Sequence, residues 1–342
     1  MRAYKITQNG APRQALHLAT DLPLPSTPTG PNILIKVTCA GLNPADLHFM
    51  SILPAWLPFR KHPTPGLDFV GTIACAGPDV PEELAVGTTV CGALGVGQAF
   101  WGAGSLAEYV VVPAGLVAAV PEVLRGREGE AVGCGVAGQT AALVVKESNV
   151  QKGQRVLING ASGGVGTILV QVFKAKGAHV TAICSGANEA LVRRLGADEV
   201  IDYTTFTAGG LYTHLTTTFP LSSNPLDFII DCVYDSPLYT SSPSYLSLTG
   251  RFITIVGGRT QGIYPFILHK LRPVFLGGTP RRYDVLGLAP NGTLAREVAA
   301  WINDGVLKEV VIDSEFPFEE AVEAYEKLST KRAKGKIVVR MR

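Results

Sequence analysis

The residues from Val156 to Gly166 constrain this chain more than any others. Val156, Leu157 and Ile158 form an apolar run of strand length that ends at Asn159, and Gly160, Ala161, Ser162, Gly163 and Gly164 follow at once. Behind them Val165, Ile168, Leu169 and Val172 recur at helical spacing as far as Lys176. A buried strand therefore enters a tight glycine turn that opens an apolar helix, and two chemistries use such a turn. In the first, glycines let the backbone bend and approach the pyrophosphate of a dinucleotide, which rests on free N–H groups at the helix N-terminus. The strict G-x-G-x-x-G is not met, because Ala161 takes the place of the first glycine while Gly163 and Gly166 fill the others. In the second, Gly160 to Gly164 satisfies G-x-S-x-G, with Ser162 as the nucleophile of a hydrolase and Asp231 and His269 completing the order Ser, Asp, His. Two features favour the dinucleotide: no HGGG-type oxyanion segment is present, and a hydrolase gives no reason for a further glycine at 166.

The surroundings of the turn fit a parallel sheet. Val180–Cys184 reads as the next strand, Glu189–Leu195 as a helix stopped by Gly196, and Glu199–Asp202 as a short third strand. Asp227–Cys232, Arg251–Val256 and Pro273–Leu276 are strand-like, and the Thr/Ser-rich stretch from Thr204 to Asn224 has no clear period. Before residue 128 the texture differs: Ile33–Val37, Val70–Ala74, Thr88–Cys91 and Tyr109–Val112 are short runs punctuated by Gly and Pro, as in a β-rich, barrel-like unit. The last part of the chain carries helices over Thr293–Asn303 and Glu319–Leu328 and a final strand, Lys336–Val339. The expected organisation is a doubly wound dinucleotide-binding domain over 128–279, flanked by the two parts of a second domain, 1–127 and 280–342.

Composition narrows the function. The chain has 342 residues, 17% of them charged, and a net charge of +2, which gives no basic footprint for nucleic acid or an anionic membrane. The weakly polar stretch Ala131–Val145 is too short and too broken by glycine to span a bilayer. The N-terminus lacks the apolar core of a signal peptide. The 6 cysteines are scattered without a CxxC pair, as expected for reduced thiols in a cytoplasmic protein.

The end of the second strand bears on which dinucleotide is bound. An NAD site places Asp or Glu there for the ribose hydroxyls. This chain has Cys184, Ser185, Gly186, Ala187 and Asn188, with no carboxylate before Glu189. Ser185 and Asn188 can donate hydrogen bonds to a 2′-phosphate that a carboxylate would repel, so NADPH is expected. Arg193 and Arg194 follow on the helix, in positions suited to a phosphate or simply to solvent.

Taken in order, GLNPADLH (41–48), PGLDFVG (65–71), GSLAEYVVVP (104–113), AGQTAAL (137–143), NGASGGVG (159–166), LGADEVIDY (195–203), GRFITIVGG (250–258), FLGGTPRRY (275–283) and KGKIVV (334–339) resemble the medium-chain dehydrogenase/reductases. The similarity is to their zinc-independent quinone-oxidoreductase and enoyl-reductase branch. It implies an α/β fold class: a Rossmann doubly wound parallel sheet plus a GroES-like β-rich catalytic domain formed by both chain ends. It also implies a substrate cleft at their junction and, commonly, homodimers through sheet extension. Zinc-dependent members carry Cys where Asn43 stands and His where Leu67 stands; Cys134 matches their remaining cysteine ligand. One thiolate does not make a catalytic zinc site, which needs three protein ligands and an open position.

Without a Lewis acid, the chemistry implied is hydride transfer from NADPH to a quinone or an α,β-unsaturated carbonyl, whose developing negative charge lies on an oxygen that hydrogen-bond donors can meet. The residues expected to take part are Asn43, as donor or as a partner of the nicotinamide ribose, Asp46, as the orienter of its loop, and His48, in contact with substrate or relaying a proton. By resemblance Thr140 lies near the nicotinamide, Tyr203 near the adenosine phosphate, and Val256 and Gly257 beside the carboxamide. Gly160, Ser162, Gly163, Gly164, Val165 and Gly166 form the pyrophosphate turn. Trp56, Phe59 and Tyr264 are aromatic walls for a flat acceptor or core residues. A dedicated enoyl reductase of one biosynthetic intermediate, a non-catalytic NADPH-binding or redox-sensing protein, and the Ser162 hydrolase are the alternatives.

Overall fold

Two kinds of strand set the architecture. A computed structural model describes residues 1–52, 62–255 and 269–341, and the chain divides into a unit formed by Met1–Gln139 with Ala289–Arg342 and a unit formed by Thr140–Leu288. In the first unit, β1 (Ala3–Ile6) pairs with β2 (Leu16–Ala19) in a small antiparallel sheet. The larger sheet contains β3 (Asn32–Leu42), β4 (Asp68–Ala76), β5 (Thr89–Ala93), β6 (Tyr109–Pro113) and β7 (Val117–Ala119). Strand β3 alternates buried and more exposed residues from Asn32 to Thr38, the pattern of a sheet with one face on the core, and then becomes buried on both faces from Cys39 to Leu42.

The second unit is built differently. Its strands β8 (Arg155–Asn159), β9 (His179–Cys184) and β11 (Leu226–Asp231) are buried almost throughout, as strands covered on both faces must be. With β10 (Glu199–Asp202), β12 (Leu246–Thr254) and β13 (Arg282–Val285) they form a parallel sheet in the order β10-β9-β8-β11-β12-β13. The order reverses between β8 and β11, which is where a doubly wound sheet opens a crevice at the carboxyl ends of its strands. The chain then returns to the first unit, where β14 (Ile312–Pro317) and β15 (Lys336–Arg340) extend the larger sheet as β14-β15-β3-β4-β5-β7, with β6 also on β3. The expected Rossmann sheet and the separate β-rich sheet are both present.

Helices follow the apolar spacing with two exceptions. The main ones are α1 (Pro44–Ile52), α2 (Val136–Ser148), α3 (Gly164–Ala175), α4 (Gly210–Thr218), α5 (Gly292–Asn303) and α6 (Ala321–Ser329). Helix α4 lies in the Thr-rich stretch that showed no clear period. Its threonines stay helical by bonding back along the turn, Thr216 Oγ1 donating to the Tyr212 carbonyl at 2.9 Å, while Leu215 anchors it in the core. The second exception is a correction: Pro273–Leu276 is not a strand. Val274–Leu276 is a 3-10 turn, closed by the Gly278 N–H on the Pro273 carbonyl, and Val274, Phe275 and Leu276 are exposed. Proline at its start and the left-handed Gly277 (φ +84) favour that turn, and the sheet edge is formed instead by β13. Among the described residues no helix is long and apolar enough to cross a membrane.

Each unit has its own apolar core. In the second unit Leu157, Ile229, Phe219, Tyr239 and Phe252 pack together, with the Phe252 ring stacked 5.7 Å from that of Tyr283. Phe252 is 1% exposed. Phe252→Ala should therefore cost about 3–5 kcal/mol, read as a lowered urea midpoint with an unchanged slope.

Candidate functional site

In the second unit the glycine turn joins β8 to α3. Gly160 takes φ +81, and the N–H groups of Gly160 and Ala161 both donate to the Ile183 carbonyl of β9 at 3.1 Å. Helix α3 then comes so close that a Cβ built on Gly166 would lie 2.3 Å from the Gly160 carbonyl oxygen. Only glycine permits that approach. Gly163, at the N-cap, provides no side-chain cap, so the first-turn N–H groups of α3 are left to a ligand or water, at the positive end of the helix dipole. A Cβ on Gly163 would meet nothing nearer than 3.4 Å, so this glycine clears space on the outer side of the turn. Ser162, Gly163, Gly164 and Val165 are all partly accessible. This cradle fits a pyrophosphate.

Next to the turn, the end of β9 supplies polar atoms. Asn188 Nδ2 donates to Ser162 Oγ at 2.9 Å, joining the loop after β9 to the glycine turn, and Asn188 Oδ1 is buried with no partner among the described residues. Ser185 is partly exposed, and its carbonyl accepts the Asn188 N–H at 2.8 Å. Tyr203 is 52% exposed at the end of β10. Just before it stands Asp202, a carboxylate that the sequence reading did not weigh. Bonds from the Thr204 hydroxyl and N–H hold its pKa low, and the Gly186 N–H adds to this. Arg193 is held by Glu189 at 2.7 Å on the same helical face. Thr140 is buried in α2. Val256 and Gly257, like Trp56, Phe59 and Tyr264, lie outside the described residues.

The hydrolase constellation does not assemble. Ser162 is bonded to Asn188. Asp231 closes the turn after β11: Oδ1 accepts from Asn159 Nδ2 at 3.2 Å and from the Val233 N–H at 3.1 Å, and Oδ2 from the Asp235 N–H at 2.7 Å. His269 Nε2 pairs with Ser236 Oγ at 2.7 Å. Each member of the expected triad is committed to a different partner, so the Ser162 hydrolase is set aside.

In the first unit, a buried polar cluster gathers where β3 turns into α1. The Asn43 N–H and the Tyr325 hydroxyl both donate to Asp46 Oδ2, at 2.8 and 3.4 Å, while Asp46 Oδ1 is buried without a partner among the described residues. Burial pushes the Asp46 carboxyl up to about 7, the Asn43 N–H pulls it down, and the negative charge of Asp68 adds to the rise. Lys336 of β15 donates to Asn43 Oδ1 at 2.7 Å and to Asp68 Oδ2 at 2.8 Å. His48 is half-buried on α1, its carbonyl accepting from Ser51 Oγ at 3.1 Å. Asn43 and Asp46 are thus brought together. The sequence reading missed Asp68, Lys336 and Tyr325. The available signal was a charge inside each of two apolar strands, LDFV and KIVV, which a buried chain tolerates only when paired.

A catalytic zinc does not fit this donor set. Leu67 offers no ligand atom, and the Asn43 oxygen is taken by an ammonium. Cys134 is fully buried and its thiol is engaged with that of Cys91, and a single thiolate is short of the three protein ligands that a catalytic zinc needs. Among the described residues no three His, Cys, Asp or Glu side chains are grouped as metal ligands.

Residues 30–122 match the model of the alcohol dehydrogenase GroES-like domain, and 195–339 match that of a zinc-binding dehydrogenase domain. The chain is 35% identical to the medium chain reductase pydE of Acremonium sp, over 100% of this chain and 99% of the relative. It is 35% identical to the trans-enoyl reductase pgmF of Aspergillus terreus, covering 95% of this chain and 92% of the relative. Among solved structures, the quinone oxidoreductase from Coxiella burnetii superposes with a TM-score of 0.80 at 27% identity, covering 100% of this chain and 99% of that one.

Two consequences of the geometry can be measured. Gly166→Ala forces the turn apart and should cost about 1–3 kcal/mol, whereas Gly163→Ala should cost less than about 1 kcal/mol in the same unfolding experiment. Asp46 has a folded-state pKa near 7, above its ordinary 3.8, so folding favours its protonated form. Its contribution is therefore complete below about pH 4 and is lost as pH rises through about 7. Asp46→Asn does not titrate, so its stability relative to the native chain should rise by about 1–3 kcal/mol between pH 5 and pH 8.

Proposed function

The chain belongs to the medium-chain dehydrogenase/reductase family, and we propose that it reduces quinones or α,β-unsaturated carbonyls with NADPH and without zinc. The observation that carries this reading is the uncapped, glycine-cleared N-terminus of α3, which suits a pyrophosphate, at the point where the order of the parallel sheet reverses. The hydroxyl of Ser185 and the amide of Asn188 can donate to a 2′-phosphate, and the Asp202 carboxylate, which accepts from the Gly186 N–H between them, is the group that a bound phosphate has to avoid. Gly160, Ser162, Gly163, Gly164, Val165 and Gly166 would hold the pyrophosphate, with Tyr203 at the adenosine end and Thr140 toward the nicotinamide.

When bound, NADPH supplies the hydride. The residues of this chain then have to meet the charge that develops on the acceptor oxygen and hold a proton for it. Asn43 is the donor for that oxygen, a task for which a fixed amide in a water-poor site is worth far more than one in solvent. Asp46, bonded to the Asn43 N–H and to Tyr325, holds the loop that carries the amide. His48, half-buried two residues further on, is the proton source. The names of the relatives support both versions of the acceptor, a quinone and an enoyl compound, and the trans-enoyl reductase pgmF favours a dedicated enoyl reductase as the narrower version.

Small conjugated molecules are therefore the partners proposed. A homodimer is part of the proposal, supported by the exposed Val274, Phe275 and Leu276, and a cytoplasmic setting suits the free cysteines.

The reading is tested by NADPH oxidation, followed at the nicotinamide absorbance, with a panel of quinones and alkyl vinyl ketones. Turnover with at least one acceptor is expected, and tight NADPH binding with no turnover on any of them would instead make this a binding protein. NADPH should raise the melting temperature more than NADH, in keeping with roughly tenfold tighter binding, and equal shifts would remove the assignment of Ser185 and Asn188. Gly163→Ala should keep the fold and weaken NADPH by about tenfold or more, because its methyl occupies the outer side of the turn.

A further inference from the structure

Lys336 is the least expected member of the buried cluster. Its side chain is 4% exposed, and that of its partner Asp68 is 0% exposed. The ammonium has three donors, and all are used: on the Leu42 carbonyl at 3.0 Å, on Asn43 Oδ1 at 2.7 Å and on Asp68 Oδ2 at 2.8 Å. Asp68 is satisfied on its other oxygen by the N–H of Val136, the first residue of α2, at 2.7 Å. Space for this carboxylate exists because position 135 is glycine; a Cβ there would lie 2.3 Å from Asp68 Cγ. The pair is thus built in from three directions: the C-terminal strand, β4 and the start of α2.

The consequence falls on Asn43. A carboxamide can sit either way round, and its two ends differ only in whether they accept or donate. Beside an ammonium only the oxygen is tolerated, since the flipped amide would set N–H against N–H next to a positive charge. The amide nitrogen is therefore turned away from Lys336, where among the described residues its acceptor is the Gly41 carbonyl at a long 3.4 Å. It retains donor capacity that nothing in the cluster uses well.

We propose that Lys336, neutralised by Asp68, is a positioning residue that fixes the Asn43 carboxamide with its oxygen toward the ammonium, so that Asn43 acts only as a hydrogen-bond donor toward the carbonyl or quinone oxygen of the acceptor. The ligand side of this inference rests on the reduction chemistry proposed above. The orientation of the amide does not.

The test uses the full-length protein and keeps the two apart. Lys336→Met alone leaves a buried, unpaired Asp68 and threatens folding, so the main variant is Lys336→Met with Asp68→Asn, which removes both charges and keeps an acceptor for Val136. It should fold with an unchanged circular dichroism spectrum and bind NADPH within about twofold of the native chain, while kcat for the best acceptor falls by about tenfold or more. Asn43→Ala should lower kcat to a similar extent, and combining it with the double variant should add little, because both remove the same donor. A native kcat in the double variant, or losses that multiply, would overturn the proposal. Independently of any turnover, the side-chain amide resonances of Asn43, assigned by their loss in Asn43→Ala, should be narrow and slow to exchange in the native chain and displaced in the double variant. Unchanged resonances would refute the positioning role even if the reductase reading stands, and the absence of turnover in the native chain would refute that reading while leaving this one measurable.

Discussion

Everything the second unit offers a dinucleotide depends on a missing carbon atom. Helix α3 starts so close under β8 that any side chain at position 166 would collide with the Gly160 carbonyl. That approach brings the uncapped end of the helix to the carboxyl edge of the sheet, beside the point where the strand order reverses. The same turn is pinned to β9 by the Ile183 carbonyl and to the loop beyond it by Ser162 and Asn188. A backbone arrangement, not a set of charges, is what suits the anion, which explains how a chain with a net charge of only +2 can serve a polyanionic cofactor.

The first unit solves a different problem: it keeps charge inside an apolar sheet. Two carboxylates and one ammonium meet near the start of α1, and their environments separate them. Asp68 is paired with Lys336 and capped by Val136, while Asp46 receives only N–H and O–H donors and is driven toward its protonated form. Such a cluster contributes little net stability, since desolvation offsets much of the attraction. Its value is in direction: it determines which end of the Asn43 carboxamide faces the Lys336 ammonium.

The sequence made the glycine turn legible because steric exclusion leaves few alternatives: Gly160, Gly163, Gly164 and Gly166 are each readable as absent side chains. The parallel sheet was legible for a related reason, since strands such as Val156–Asn159 are apolar on both faces. Helix α4 was hidden because its threonines bond to their own helix, a contact that has no period in the sequence. Pro273–Leu276 was misread because apolar content alone does not distinguish a strand from an exposed turn. The Lys336–Asp68 pair was invisible for the most general reason: its members are 268 residues apart, and only the sheet brings them together.

The central claim is that a hydride passes from NADPH to a carbon or quinone acceptor held by this chain. Incubation with an alkyl vinyl ketone and NADPH deuterated at the transferable position of nicotinamide C4, followed by mass spectrometry and NMR of the product, tests it most directly. The account predicts a saturated ketone carrying deuterium on its β-carbon, in amounts equal to the NADPH consumed. NADPH oxidised without deuterium in the product, or bound and never oxidised across the ketones and quinones tried, would contradict it.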